Sequence, residues 1–233
     1  MDALSALALA GASEGTLVVA AEQRAGRGRA GRAWEAPRGS ALLCSVLLRP
    51  PLPPNRLSAL PLVAGLAVAE AIDSLIPVTT RVKWPNDLYI GERKVSGVLM
   101  QARAAGDRTE YVNLGIGINV LTDIDSLPPG ATSLKAASGR VIPVDMVERA
   151  VMERLTEHYT RFLADRGRPD LSIWLDRARY LGETVTVVEG GVTLSGVFTG
   201  VSAEGALILR TADGSREIVA GDLTRGPRPA AGE

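Results

Sequence analysis

Residues 23–34 read Gln-Arg-Ala-Gly-Arg-Gly-Arg-Ala-Gly-Arg-Ala-Trp, and no other stretch restricts the fold so strongly. Arg24, Arg27, Arg29 and Arg32 cannot enter an apolar core unpaired. Gly26, Gly28 and Gly31 open backbone conformations that other residues avoid. The segment therefore has to be a loop. It lies between two apolar runs that read as strands, 16–22 and 40–48. Permanently charged guanidinium forks suit carboxylates and phosphates. A loop of this kind can disorder when empty and close over an anionic ligand when full.

The order Gly26-x-Gly28-x-x-Gly31 matches a dinucleotide-binding fingerprint by letter alone. That fingerprint needs a helix next, with the pyrophosphate on its N-terminus, and an acidic residue about 20 positions on. Here Pro37 and Gly39 interrupt the first turns, and the later region is Leu47-Leu-Arg-Pro-Pro-Leu-Pro-Pro54. No Gly-Lys-Ser/Thr sequence makes a P-loop. The stretch is also a single copy between strands, unlike a repeated, disordered nucleic-acid tail.

The 26 basic and 26 acidic residues balance, which argues against nonspecific nucleic-acid binding. Cys44, the one cysteine, sits in a near-continuous apolar strand and reads as core packing. With His158 the one histidine, neither a zinc cluster nor a His-based triad is available. The N-terminal run lacks a basic region ahead of it and carries Asp2, so it reads as an amphipathic helix rather than a signal peptide. No run is read as spanning a membrane, and the expected compartment is the cytoplasm.

Periodicity predicts helices over 2–11, 56–75, 143–165 and 170–179. Strands are expected over 16–22, 40–48, 82–90 with a break at Pro85-Asn86-Asp87, 94–103 and 109–120. Gly115 and Gly117 inside the last of these mark a close backbone or ligand approach. From Leu181 the texture changes to short alternating runs separated by glycine-rich turns, the pattern of a small antiparallel barrel. A domain boundary is placed near residue 181, and the tail from about residue 226 is expected to fray.

Lys83-Trp-Pro-Asn-Asp87 puts a cation, an amide and a carboxylate at a strand break. Lys94-Val-Ser-Gly97 begins the next strand, and Asn113-Leu-Gly-Ile-Gly-Ile-Asn119 ends another in an amide. Taken singly, these read as turn chemistry and surface charge. Together with the arginine loop they can surround an acyl carboxylate and a nucleotide α-phosphate. Forming an acyl-adenylate brings two anions together, for which fixed cations and metal ions are the natural remedy.

In this order, Gly26-Arg-Gly-Arg-Ala-Gly-Arg-Ala-Trp34, Lys83-Trp-Pro-Asn-Asp87, Lys94-Val-Ser-Gly97 and Gly117-Ile-Asn119 resemble the biotin–protein ligases over nearly the whole chain. The resemblance implies an α+β fold: a mixed sheet with flanking helices, like a class II synthetase, over residues 1–180. An SH3-like C-terminal barrel follows over 181–228. It implies an enzyme that makes biotinyl-5′-AMP from biotin and ATP with Mg²⁺. The biotin then passes to a lysine of a biotin carboxyl carrier domain of a biotin-dependent carboxylase. By motif, Gln23 contacts biotin, and Arg27, Gly28 and Arg29 cover the carboxylate and phosphate. Lys94 is the principal catalytic cation, beside Gly97. Arg29 and Lys83 join it in catalysis, with Lys83 facing the nucleotide phosphates. Asn119 helps hold the adenylate, Trp34 packs near adenine, and Asp87 is a candidate for metal or an orienting role.

Two departures from the family pattern stand out. No winged-helix segment precedes the catalytic region, so the monofunctional class without DNA binding is expected. The family's Ser-Thr-(Asn/Met) motif, whose hydroxyls bind the biotin ring at the end of a first strand, falls where this chain opens with Met1-Asp-Ala-Leu. That strand and both hydroxyls are expected to be missing. A biotin- or adenylate-binding module with impaired turnover and a lipoate-type acyl ligase remain the alternatives. A homodimer paired through sheet edges is compatible with the resemblance.

Overall fold

A computed structural model describes residues 1–23 and 26–226, so Arg24 and the tail beyond Gly226 lie outside the described residues. The chain begins with helix α1 (Asp2–Leu9), strand β1 (Leu17–Val19), the arginine loop and strand β2 (Ala41–Leu48). Helix α2 (Leu60–Leu75) leads to strands β3 (Thr80–Lys83), β4 (Asp87–Ile90), β5 (Arg93–Ala105) and β6 (Arg108–Asn119). Helices α3 (Leu134–Ser138), α4 (Val144–Ala164) and α5 (Ser172–Asp176) follow.

The six strands form one sheet in the order β1-β2-β6-β5-β4-β3. Its ladders are antiparallel, as short hairpin connections between successive strands require. The mixed character expected of this sheet is confined to two isolated parallel bridges, Val82–Ala178 and Lys94–Ala131. The period of two divides the sheet into two unlike faces. Cys44, Val46, Val112, Leu114, Ile116 and Ile118 face α2 and α4 in the main core. Leu47 and Tyr111 meet Leu4 and Ala8 of α1 on the other face, where Gly115 and Gly117 also lie. The active-site candidates occupy that second face.

The segment Pro54–Leu75, which ends in α2, is long and apolar enough to cross a membrane by length and composition, but most of it is buried inside this core. Helix α2 starts later than the expected residue 56. Residues Pro54–Arg56 form a separate 3₁₀ turn, and Pro61 sets the first turn of the helix. Helix α5 is shorter than expected because the chain after it pairs with β3. The Val82 N–H donates to the Arg177 carbonyl at 3.0 Å, and the Arg179 N–H to the Val82 carbonyl at 2.8 Å.

A second sheet contains β7 (Thr184–Glu189), β8 (Val192–Val201), β9 (Leu207–Thr211), β10 (Gly214–Ile218) and β11 (Asp222–Arg225), in the order β10-β9-β8-β7-β11. It is antiparallel throughout, and among the described residues no ladder joins β10 to β11 to close it. The buried Trp84 Nε1 donates to the Gly205 carbonyl at 3.0 Å, fastening this sheet to the β3–β4 turn. That turn contains a cis Trp84–Pro85 peptide bond.

Candidate active site

A line of directly paired residues crosses four strands: Leu43 on β2, Gly117 on β6, Gly97 on β5 and Asp87 on β4. The two glycines make the middle of that line bare backbone. Trp34 of the arginine loop lies on it. A Cβ at Gly117 would stand 2.8 Å from Trp34 Cε2, and one at Gly97 3.4 Å from Trp34 Cζ3. Side chains are excluded at Gly117 by this close approach, not by backbone strain.

Lys94 reaches the same line through a β-bulge. Asp87 pairs with Gly97 and Leu88 with Ser96, but Tyr89 pairs with Lys94, so β5 carries one extra residue. In a regular strand, residues three apart face opposite sides. The bulge returns Lys94 to the Gly97 side. Its ammonium lies 2.5 Å from Asp87 Oδ1, 3.6 Å from a Cβ built on Gly97, and 5.6 Å from the Trp34 ring centre. The Lys94 backbone is fixed in turn by the 130–132 segment: its N–H donates to the Gly130 carbonyl and its carbonyl accepts from Thr132, both at 2.8 Å.

The loop folds on itself above this floor. The Trp34 N–H donates to the Gly26 carbonyl at 3.0 Å, and the Gly28 N–H to the Arg32 carbonyl at 2.6 Å. A Cβ at Gly26 would fall 2.0 Å from the Trp34 carbonyl, so only glycine fits there. Arg29–Gly31 turn as one 3₁₀ segment, with Gly31 at a φ of 73°. Three arginines tie the loop outward. Arg27 pairs with Asp2 of α1, Arg29 Nη1 donates to Asn86 Oδ1 at 3.4 Å, and Arg32 Nη2 donates to Asp222 Oδ1 at 2.8 Å. Asn86 is itself locked to β5: its Nδ2 donates to the Val98 carbonyl at 2.9 Å.

The result is a cavity of about 360 Å³. Leu43 and Leu99, on the same face as Gly115 and Gly117, bring apolar groups to its lining, and Arg27, Arg29, Arg32 and Lys94 bring cations. Half-burial lowers the Arg29 pKa, opposed by the charges of Asp222 and Asp87. Burial also lowers the Lys83 pKa, opposed by Asp87 and reinforced by Lys94. This arrangement suits a ligand with an apolar body and an anionic end. Among the described residues, no histidine borders the cavity to activate a nucleophile. Cys44 is core, with burial pushing its thiol pKa up to about 12, and His158 pairs with Glu70 at 2.8 Å.

The residues read from sequence divide three ways. Gln23, Arg27, Gly28, Arg29, Trp34, Asp87, Lys94 and Gly97 converge on the cavity. Lys83 stands beside it, its ammonium 5.8 Å above the Tyr89 ring. Asn119 is not in the lining. It is buried, and its Nδ2 donates to the Thr132 carbonyl at 3.0 Å, holding the segment that holds Lys94. Asp87 is engaged by Lys94, and among the described residues no group of three acidic, His or Cys side chains could hold a metal. Asn86 and Arg32 also line the cavity, neither singled out as a site residue from sequence, and Asp222 lies outside the lining as the partner of Arg32. The amide inside Lys83-Trp-Pro-Asn-Asp87 was the one available signal for Asn86.

Residues 3–119 match the model of the biotin/lipoate A/B protein ligase family, and residues 180–223 match that of the biotin protein ligase C-terminal domain. A biotin–[acetyl-CoA-carboxylase] ligase of Paracoccus denitrificans is 33% identical over 224 residues, covering 91% of each chain. The bifunctional ligase/repressor BirA of Bacillus subtilis is 34% identical over 219 residues, covering 92% of this chain and 67% of the relative. The solved structure of biotin protein ligase from Aquifex aeolicus in complex with biotin and ATP matches with a TM-score of 0.81 at 33% identity. It covers 95% of this chain and 94% of that one.

Proposed function

This chain belongs to the biotin/lipoate A/B protein ligase family, and we propose that it joins biotin to a carrier-protein lysine in two steps at the cavity beneath the arginine loop. The observation that carries the reading is the convergence of Lys94, Arg29 and the Gly97–Gly117 floor on one cavity that also has apolar lining.

In the first step a biotin carboxylate oxygen attacks the α-phosphorus of ATP, forming the acyl-phosphate bond as pyrophosphate leaves. Both reactants are anions, so their approach is the main electrostatic cost. Lys94 and Arg29 offset it. Each well-placed charge-assisted hydrogen bond contributes about 1.5–3 kcal/mol. Lys83 faces the phosphates from beside the cavity. Gln23, Arg27 and Gly28 hold the biotin end, and Trp34 borders the adenine. Asn119 acts from behind, through the 130–132 segment.

In the second step the neutral amine of the carrier lysine attacks the acyl carbonyl, AMP leaves with the bonding electrons, and the nitrogen's extra proton passes to the departing phosphate or to solvent. No enzyme nucleophile is needed; positioning and water exclusion suffice. Mg²⁺ would supply Lewis-acid polarisation of the phosphates. The cavity's carboxylates, Asp87 and Asp2, are each already paired with a cation, which suits a metal held mainly by substrate oxygens. Asp87 is the carboxylate that would share it. The acceptor is the carrier domain of a biotin-dependent carboxylase, and the sheet of β7–β11 serves as a separate unit beside the catalytic one.

Biotin-dependent exchange of labelled pyrophosphate into ATP tests the first step. Exchange that needs biotin supports the reading; exchange absent with biotin but present with lipoate or octanoate contradicts it.

A further inference from the structure

Asp222 attaches the arginine loop to the second sheet. The Arg32 guanidinium joins the two: its Nη2 donates to Asp222 Oδ1 at 2.8 Å, and its Nε donates back to the Arg29 carbonyl at 3.3 Å. One side chain thus ties the 3₁₀ turn that carries Arg29 to the first residue of β11. Asp222 itself is set firmly. It pairs with Val188 of β7, and the preceding Gly221 packs so closely that a Cβ there would fall 2.7 Å from Val187 Cγ1. The sheet beneath is pinned to the β3–β4 turn by the buried Trp84–Gly205 hydrogen bond. That turn carries Asn86 and leads into Asp87, the first residue of β4, both in the cavity lining. The loop and the floor of the site are therefore referred to each other through the second sheet. The Asp222 charge also favours the protonated forms of Arg29 and Lys83.

We propose that Asp222 is a positioning residue: through Arg32 it holds the arginine loop closed over the cavity and so slows escape of the adenylate. It touches no reacting atom. The bridge is about half exposed, with side chains 58% and 49% accessible, so its effect is modest, roughly fivefold at most for a pair of this kind. A loop poised between open and closed responds to a bias of that size. The chemical consequence rests on the ligase reading; the structural consequence does not.

The test pairs backbone amide exchange over residues 26–34 with release of biotinyl-5′-AMP from the full chain. Asp222→Asn is expected to speed exchange in that loop and adenylate release, each by roughly fivefold. The rate of adenylate formation at saturating substrates should stay within about twofold, so the defect appears in retention. Asp222→Glu keeps the carboxylate and should restore both readouts, whereas Asp213→Asn, in the β9–β10 turn, should change neither. Unchanged loop exchange and unchanged release in Asp222→Asn overturn the proposal. So does faster exchange spread evenly over β7–β11, which would mean general loosening of the sheet. If the wild-type chain makes no adenylate from biotin and ATP, the ligase reading fails. Loop exchange then decides the proposal alone.

Discussion

The Lys94 ammonium stands 2.5 Å from the Asp87 carboxylate, brought there by a one-residue bulge in β5. The pair balances a cation that an anionic substrate can then claim. Lys94→Ala is expected to lower biotin-dependent ATP–pyrophosphate exchange by about 10²-fold or more, the scale for removing one preorganised charge stabiliser. A rate within threefold of wild type would remove Lys94 from the chemistry.

Gly117→Ala places a methyl 2.8 Å from Trp34 Cε2. The backbone there is extended strand paired on both sides, so the indole must move instead. The expected result is a raised KM for ATP and weaker adenylate binding, with little change in thermal stability. Quenching of Trp34 fluorescence by acrylamide should increase. Unaltered kinetics would mean that the indole position does not bear on the nucleotide.

Burial lowers the Lys83 pKa, and Asp87 only partly restores it. As pH rises, Lys83 therefore loses its charge earlier than a free lysine would, and its help to the phosphates goes with it. Adenylate formation is expected to fall along an alkaline limb below about pH 10.4, the ordinary lysine value. Lys83→Arg should move that limb upward, since guanidinium stays charged. An identical pH profile for the two proteins would exclude Lys83 as the titrating group.

Trp84 lies inside a motif shared with the site but works as an anchor. Trp84→Phe keeps an aromatic side chain, removes the donor to the buried Gly205 carbonyl and leaves a little space in the core. The cost is about 1–3 kcal/mol for an acceptor left without a partner. Calorimetry should show a fall in Tm of several degrees, at about 2–4 °C per kcal/mol for a chain of this size. No shift in Tm would mean that the bond contributes nothing net.

Cys44 tests the core itself. Its thiol pKa is pushed to about 12 by burial, so it stays protonated and inert at neutral pH. Thiol reagents should label the native protein far more slowly than the denatured protein. Rapid native labelling would place Cys44 outside the core.

Much of this architecture is legible because the apolar patterns are long. Ala41–Leu48 is buried at every position, and the strand over 109–120 shows its two glycines at the spacing that puts both on one face. What the sequence hides depends on register and distance. Lys94 and Gly97, three apart, fall on opposite faces of a regular strand, and only the bulge unites them. Asn119 ends its strand as expected, yet its amide is spent on Thr132. The short helix Leu134–Ser138 was signalled by Ser133 as N-cap and Gly139 beyond its end, a pair too local to outweigh the surrounding loop residues. Arg32 and Asp222 are 190 positions apart, and no local pattern joins them.

The most direct measurement is transfer of labelled biotin to the lysine of a biotin carboxyl carrier domain, with ATP and Mg²⁺ supplied. The account predicts stoichiometric labelling that needs ATP and is abolished when the carrier lysine is replaced. Failure to label the carrier, with biotin and ATP saturating, would contradict it.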